Sequence, residues 1–190
     1  MRTFIAIELP PEIKDALSRL QRQLQNSQAD VKWVQPQNIH LTLKFLGERD
    51  VKLIEKIMQI LQEVTQGQKS FHARISCLGA FPSINSPRII WVGIDLGDSE
   101  TKEIAKELEG RISKIGIPKE DRPFSSHITI GRIRSPKNRD SLIQNLNHLQ
   151  DKFGEFTLEF PVTKITLFKS TLSSRGPIYE VLKEENLKTI

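Results

Sequence analysis

Apolar and polar residues alternate over seven stretches of the chain: Thr3–Leu9, Ile39–Phe45, Phe71–Leu78, Ile89–Leu96, Ser126–Ile133, Phe156–Phe160 and Val162–Phe168. A period of two puts successive side chains on opposite faces of an extended backbone, so each stretch is expected to be a strand. Elsewhere the apolar period lengthens to that of a helix. Ile13, Leu17, Leu20 and Leu24 form one stripe, with Pro10 and Pro11 at its start. Ile54, Ile57, Met58 and Leu61 form a second, and Ile104, Leu108, Ile112 and Ile115 a third that Gly116 and Pro118 should end. The fourth runs through Leu142, Leu146, Leu149 and Phe153, with Gly154 as its stop. The pattern predicts an α+β fold of four helices among eight or nine short strands. Turn-rich connections are expected at Pro82–Pro87 and Asp98–Glu100, neither of them a flexible linker.

One short pattern occurs twice. NIHLTLKFLG, from Asn38, and FSSHITIGRIR, from Phe124, each set His, an apolar residue and Thr in the middle of an alternating strand. The copies lie about half the chain apart, and a helix is expected after each. This suggests two similar halves about a pseudo-twofold axis, with the motif strands facing each other.

Residues two apart on a strand share a face. His40 and Thr42 therefore point one way while Ile39, Leu41, Leu43 and Phe45 point into a core; His127 and Thr129 likewise oppose Ile128 and Ile130. If the polar faces converge, they form a cleft holding two imidazoles and two hydroxyls. That set suits phosphodiester hydrolysis, since one neutral imidazole can take a proton from water and one protonated imidazole can give a proton to the departing oxygen. The threonines can donate to the phosphate oxygens, and Arg132 can clamp the anion with its fork of donors. Arg132 has the wrong parity for this on a regular strand. Gly131 precedes it, and a bulge or strand end there would turn the guanidinium into the cleft.

Composition narrows the picture modestly. The 190 residues are 37% hydrophobic and 27% charged, as in a soluble globular protein, with no apolar run of membrane-spanning length. The start, MRTFIAIELPPE, reads as a first strand rather than a secretory signal. A single cysteine, Cys77, excludes an intramolecular disulfide and points to a reducing cytoplasm. A net charge of +5 is a mild bias towards polyanions. Two histidines without further ligands make a poor zinc site. His72 and His148 match no motif and are expected at the surface.

The runs MRTFIAIELP, KWVQPQNIHLTLKFLG, PFSSHITIGRIR and LFKSTLSSRGPIYEVL together resemble the RNA 2′,3′-cyclic phosphodiesterases of the two-histidine phosphoesterase superfamily, also called 2′-5′ RNA ligases. The resemblance implies one two-lobed domain over residues 1–190, with two pseudo-symmetric antiparallel-sheet lobes, helices outside and a central cleft. It implies hydrolysis of a 2′,3′-cyclic phosphate to a 2′-phosphomonoester, with His40 as proton donor to O3′ and His127 as proton acceptor from water. Thr42, Thr129 and Arg132 would bind the phosphate. It implies no metal or other cofactor, RNA or nucleotide ends as partners, and reversible 2′-5′ joining as a related activity. The near-symmetry of the motifs gives no choice between acid and base, which comes from the resemblance alone. Tyr179 and Trp33 are candidates for stacking on a base, with Phe81 and Phe168 further possibilities; Phe45 has core parity and is expected to be structural. A monomer is expected. The competing reading is a noncatalytic RNA-end binding module on the same fold.

Overall fold

The computed structural model describes residues 1–153, 158–174 and 176–189. In chain order these form β1 (Arg2–Glu8), α1 (Pro11–Gln25), β2 (Val31–Trp33), a 3-10 turn (Pro36–Asn38), β3 (His40–Glu48), α2 (Val51–Gly67), β4 (Phe71–Ser83), β5 (Ser86–Ile94), α3 (Asp98–Ser113), β6 (His127–Ile133), α4 (Arg139–Lys152), β7 (Leu158–Val162), β8 (Lys164–Ser173) and β9 (Gly176–Asn186). The expected stop at Gly154 and the start of the Phe156–Phe160 strand lie outside the described residues. The four apolar stripes are the buried faces of the four helices. Pro11 starts α1 where its missing N–H costs nothing, and the Asp50 carboxylate caps α2 by accepting from the Leu53 amide at 2.9 Å.

The strands divide into two antiparallel sheets, one in the order β3-β1-β8-β9 and the other β2-β6-β5-β4-β7. The orders correspond: β3, β1 and β8 match β6, β5 and β4, so each motif strand lies beside the strand that opens its half of the chain. Two of the four helices cross over between the lobes. The first half's α1 packs behind β6, and the second half's α3 packs behind β3. Because each half lends a helix to the other's sheet, one apolar cluster runs through both lobes, from Ile5 and Leu17 to Ile128 and Leu146. The lobes therefore share a core, and β3 and β6 are in contact.

Two expectations change, and two strands were not foreseen. Asp98–Glu100 is the first turn of α3, where acidic side chains favour the helix dipole, rather than a connection. Two strands had no alternating signal: β2 has three residues, and β9 carries charges on both faces of an exposed edge. Phe45 is not in the core; it is 58% exposed, for a reason that lies in the backbone of β3.

Candidate active site

Both motif histidines sit at the first residue of their strands and make the same local contact. His40 Nδ1 lies 2.7 Å from the Asn38 carbonyl oxygen, and His127 Nδ1 lies 2.9 Å from that of Ser125. An acceptor at that distance places the proton on Nδ1, so Nε2 of each neutral ring is left to take or give a proton. The spacing is the same because each ring folds back on the residue two before it. Asn38 also makes a long-range contact. Its side-chain amide donates to the Pro177 carbonyl at 2.8 Å, tying the start of β9 to the turn that precedes His40.

Beyond the threonines both strands bulge at equivalent places. Ala6 pairs with Thr42 but Ile5 with Lys44, so Leu43 is extra; Trp91 pairs with Thr129 but Ile90 with Gly131, so Ile130 is extra. Each bulge reverses the parity of the residues beyond it. Gly131 turns to the buried side and Arg132 to the exposed side, as its proposed role requires. In β3 the same reversal turns Lys44 inwards, 3% exposed, and Phe45 outwards. The buried Lys44 ammonium is met by Glu109 at 2.7 Å, Glu120 at 3.6 Å and the Pro118 carbonyl at 3.2 Å. Phe45 and Arg132 are thus structural equivalents on opposite lobes. Parity counted along the whole strand fails for Phe45 because it carries the pleat through the bulge.

The second bulge is held from behind. Gln21, buried on α1, donates its amide hydrogens to the Ile130 and Val34 carbonyls, both at 2.8 Å. Gly131 is needed there, since a Cβ would meet Val31 Cγ1 at 2.9 Å and the Trp33 ring at 3.0 Å. Trp33, a stacking candidate in the sequence, packs over this glycine on the face of β6 opposite Arg132.

Aromatic rings surround each imidazole. His40 stacks on Phe4, with centroids 4.8 Å apart, and meets Tyr179 edge-on at 5.5 Å. Phe168 continues the stack behind Phe4 at 5.2 Å. His127 meets Phe81 edge-on at 5.1 Å and Trp91 at 6.4 Å. Trp91 lies across Gly79, where a Cβ would come within 2.4 Å of its ring. Phe4 and Trp91 had no distinguishing signal in the sequence, because an aromatic in an alternating strand reads as core. A cavity of about 280 Å³ opens beside His40, lined in part by Lys14, Gln37, Phe168, Tyr179 and Val181.

This setting depresses both imidazoles. Burial pushes His40 from 6.5 to about 4, opposed by the Asn38 carbonyl and assisted by the Lys14 charge. Burial also lowers His127, opposed by the Ser125 carbonyl and assisted by Arg132. Burial raises the Tyr179 phenol, while Arg2 and Arg132 pull it down. Arg132 thus acts on His127 in its own lobe and on Tyr179, which touches His40 in the other. His72 and His148 are exposed, as expected, and Thr42 and Thr129 are half-buried. Among the described residues, no group of three or more His, Cys, Asp or Glu side chains is arranged to hold a metal ion, and no helix is long and apolar enough to cross a membrane.

A family profile described as LigT like phosphoesterase matches residues 7–91 and 95–179, each segment holding one His-x-Thr motif. The chain is 35% identical to an RNA 2′,3′-cyclic phosphodiesterase of Methanocaldococcus jannaschii, covering 97% of this chain and 99% of the relative. It is also 35% identical to an RNA 2′,3′-cyclic phosphodiesterase of Aquifex aeolicus, over 97% of this chain and 96% of the relative. Among solved structures it superposes on TT0787 of Thermus thermophilus with a TM-score of 0.82 and 28% identity, covering 100% of this chain and 99% of the other.

Proposed function

The chain belongs to the LigT-like phosphoesterase family, and from that premise we propose that it hydrolyses RNA 2′,3′-cyclic phosphate termini to 2′-phosphomonoesters without a metal. The observation that carries this reading is the matched pair of imidazoles, each with Nδ1 committed to a backbone carbonyl, which leaves Nε2 for proton transfer. In the reaction water attacks phosphorus as His127 Nε2 takes its proton, and the P–O3′ bond breaks as His40 Nε2–H protonates the departing oxygen. Each transfer typically contributes about 10²- to 10⁴-fold. Thr42, Thr129 and Arg132 hold the non-bridging oxygens as their negative charge grows. The choice of His40 as acid rests on the family resemblance.

The depressed pKa of His40 gives the substrate a part in arming the site. An imidazole near 4 is neutral at neutral pH, and the anionic cyclic phosphate beside it favours its protonation. The same residues serve reversible 2′-5′ joining if a 5′-hydroxyl replaces the water. Tyr179, already against His40, is the first candidate to pack on the nucleoside. The protein acts as a cytoplasmic monomer in this reading.

The test is incubation of a nucleoside 2′,3′-cyclic phosphate with the protein, with and without a chelator. The 2′-phosphate should form in both, and His40→Ala and His127→Ala should each reduce turnover by at least about 10²-fold. Binding without product would favour the noncatalytic end-binding module instead, and the 3′-phosphate as product would contradict the assignment of O3′ as leaving group.

A further inference from the structure

β2 was not foreseen in the sequence, and it sets a second cation beside Arg132. Lys32 is the direct cross-strand partner of Arg132, flanked by the pairs Val31–Ile133 and Trp33–Gly131. Partners in an antiparallel pair share a face. Val31, Trp33 and Ile133 pack against the apolar core, and a Cβ at Gly131 would point at Val31 and Trp33, so this is the buried face. Lys32 and Arg132 therefore share the opposite face, which after the bulge is that of His127 and Thr129. Both are exposed. Among the described residues neither has a carboxylate within ion-pair distance or a side-chain hydrogen-bond partner, so both charges face outwards unneutralised.

Like charges directly opposite one another destabilise a strand pair. An edge strand gains from a lysine as protection against pairing with other chains, but that function does not require placing it against an arginine. A ligand carrying two phosphates removes the repulsion by placing one at each cation. The mechanism assigns Arg132 to the cyclic phosphate, so Lys32 stands on the same face just beyond it, at the outer edge of the sheet.

We propose that Lys32, paired with Arg132 across β2 and β6, forms a second phosphate subsite that holds the phosphodiester on the 5′ side of the terminal nucleoside. The inference rests on the function proposed above and makes the protein a selector of RNA ends over mononucleotides. A mononucleoside cyclic phosphate fills only the central site; a dinucleotide or longer RNA also fills the second.

Two measurements on Lys32→Ala and Lys32→Arg test this. The first is the ratio of kcat/KM for a dinucleotide ending in a 2′,3′-cyclic phosphate to that for the mononucleoside cyclic phosphate. Lys32→Ala should lower the ratio about 10-fold, Lys32→Arg should largely restore it, and the slope of log kcat/KM against log salt for the dinucleotide should become shallower by about 0.7. The second is calorimetric binding of the corresponding 2′-phosphate dinucleotide and nucleoside 2′-phosphate, which needs no turnover. Wild type should favour the dinucleotide, and Lys32→Ala should lose that preference. Equal losses on both ligands, or an unchanged ratio in both measurements, would overturn the subsite. Absence of hydrolysis by wild type would defeat the proposed function while leaving the binding comparison to decide the subsite.

Discussion

Neutral His40 is part of what the fold stabilises, and replacing it by a group that does not titrate makes the contribution measurable. With a folded value near 4 against an ordinary 6.5, the unfolded chain binds the proton more readily than the folded one. Stability is therefore full above about 6.5, falls as pH drops towards 4, and loses no more from this group below that. The full separation corresponds to roughly 3 kcal/mol, of which about 2 kcal/mol is lost between pH 7 and pH 5. The assay is urea denaturation of wild type and His40→Gln at those two pH values, in a buffer free of phosphate, since a bound anion would raise the imidazole again. Other groups titrate alike in both proteins, so wild type should lose about 2 kcal/mol more than the variant on acidification. Identical losses, or a magnetic-resonance titration placing His40 near 6.5, would refute the argument that burial beside Phe4 and Tyr179 controls this ring.

Further outcomes follow from the same geometry. The pH profile of kcat/KM should be bell-shaped with its maximum on the acid side of 6.5, because the singly protonated histidine pair forms only between two depressed values; a maximum above pH 7.5 would contradict it. The profile of kcat should lie at higher pH, since the bound anion raises both imidazoles. Gly131→Ala drives a methyl into Val31 and Trp33 and should cost about 1–3 kcal/mol in denaturation with a loss of activity; an unperturbed midpoint would show that β2 gives way freely. Gln21→Leu removes the donor shared by the Val34 and Ile130 carbonyls and should cost about 1–3 kcal/mol, together with a fall in kcat/KM as Arg132 loses its aim. Stability or activity equal to wild type would deny Gln21 its place behind the bulge.

What sequence alone determined was local. The four helices, the strands with one face buried and the two His-x-Thr faces are legible because side-chain periodicity within a single element fixes which residues share a side. The bulge at Gly131 was legible too, since glycine before an arginine of the wrong parity needs a physical explanation. The equivalent bulge in β3 was not, because Lys44 carries no such mark: its burial depends on Glu109 and Glu120, more than sixty residues away in the chain. Phe45 was misread for that reason. The pairing of Lys32 with Arg132 and the clasp of Gln21 on Ile130 likewise needed the tertiary structure. Each is a contact between distant segments, and only the crosswise packing of the two halves decides which distant residues meet.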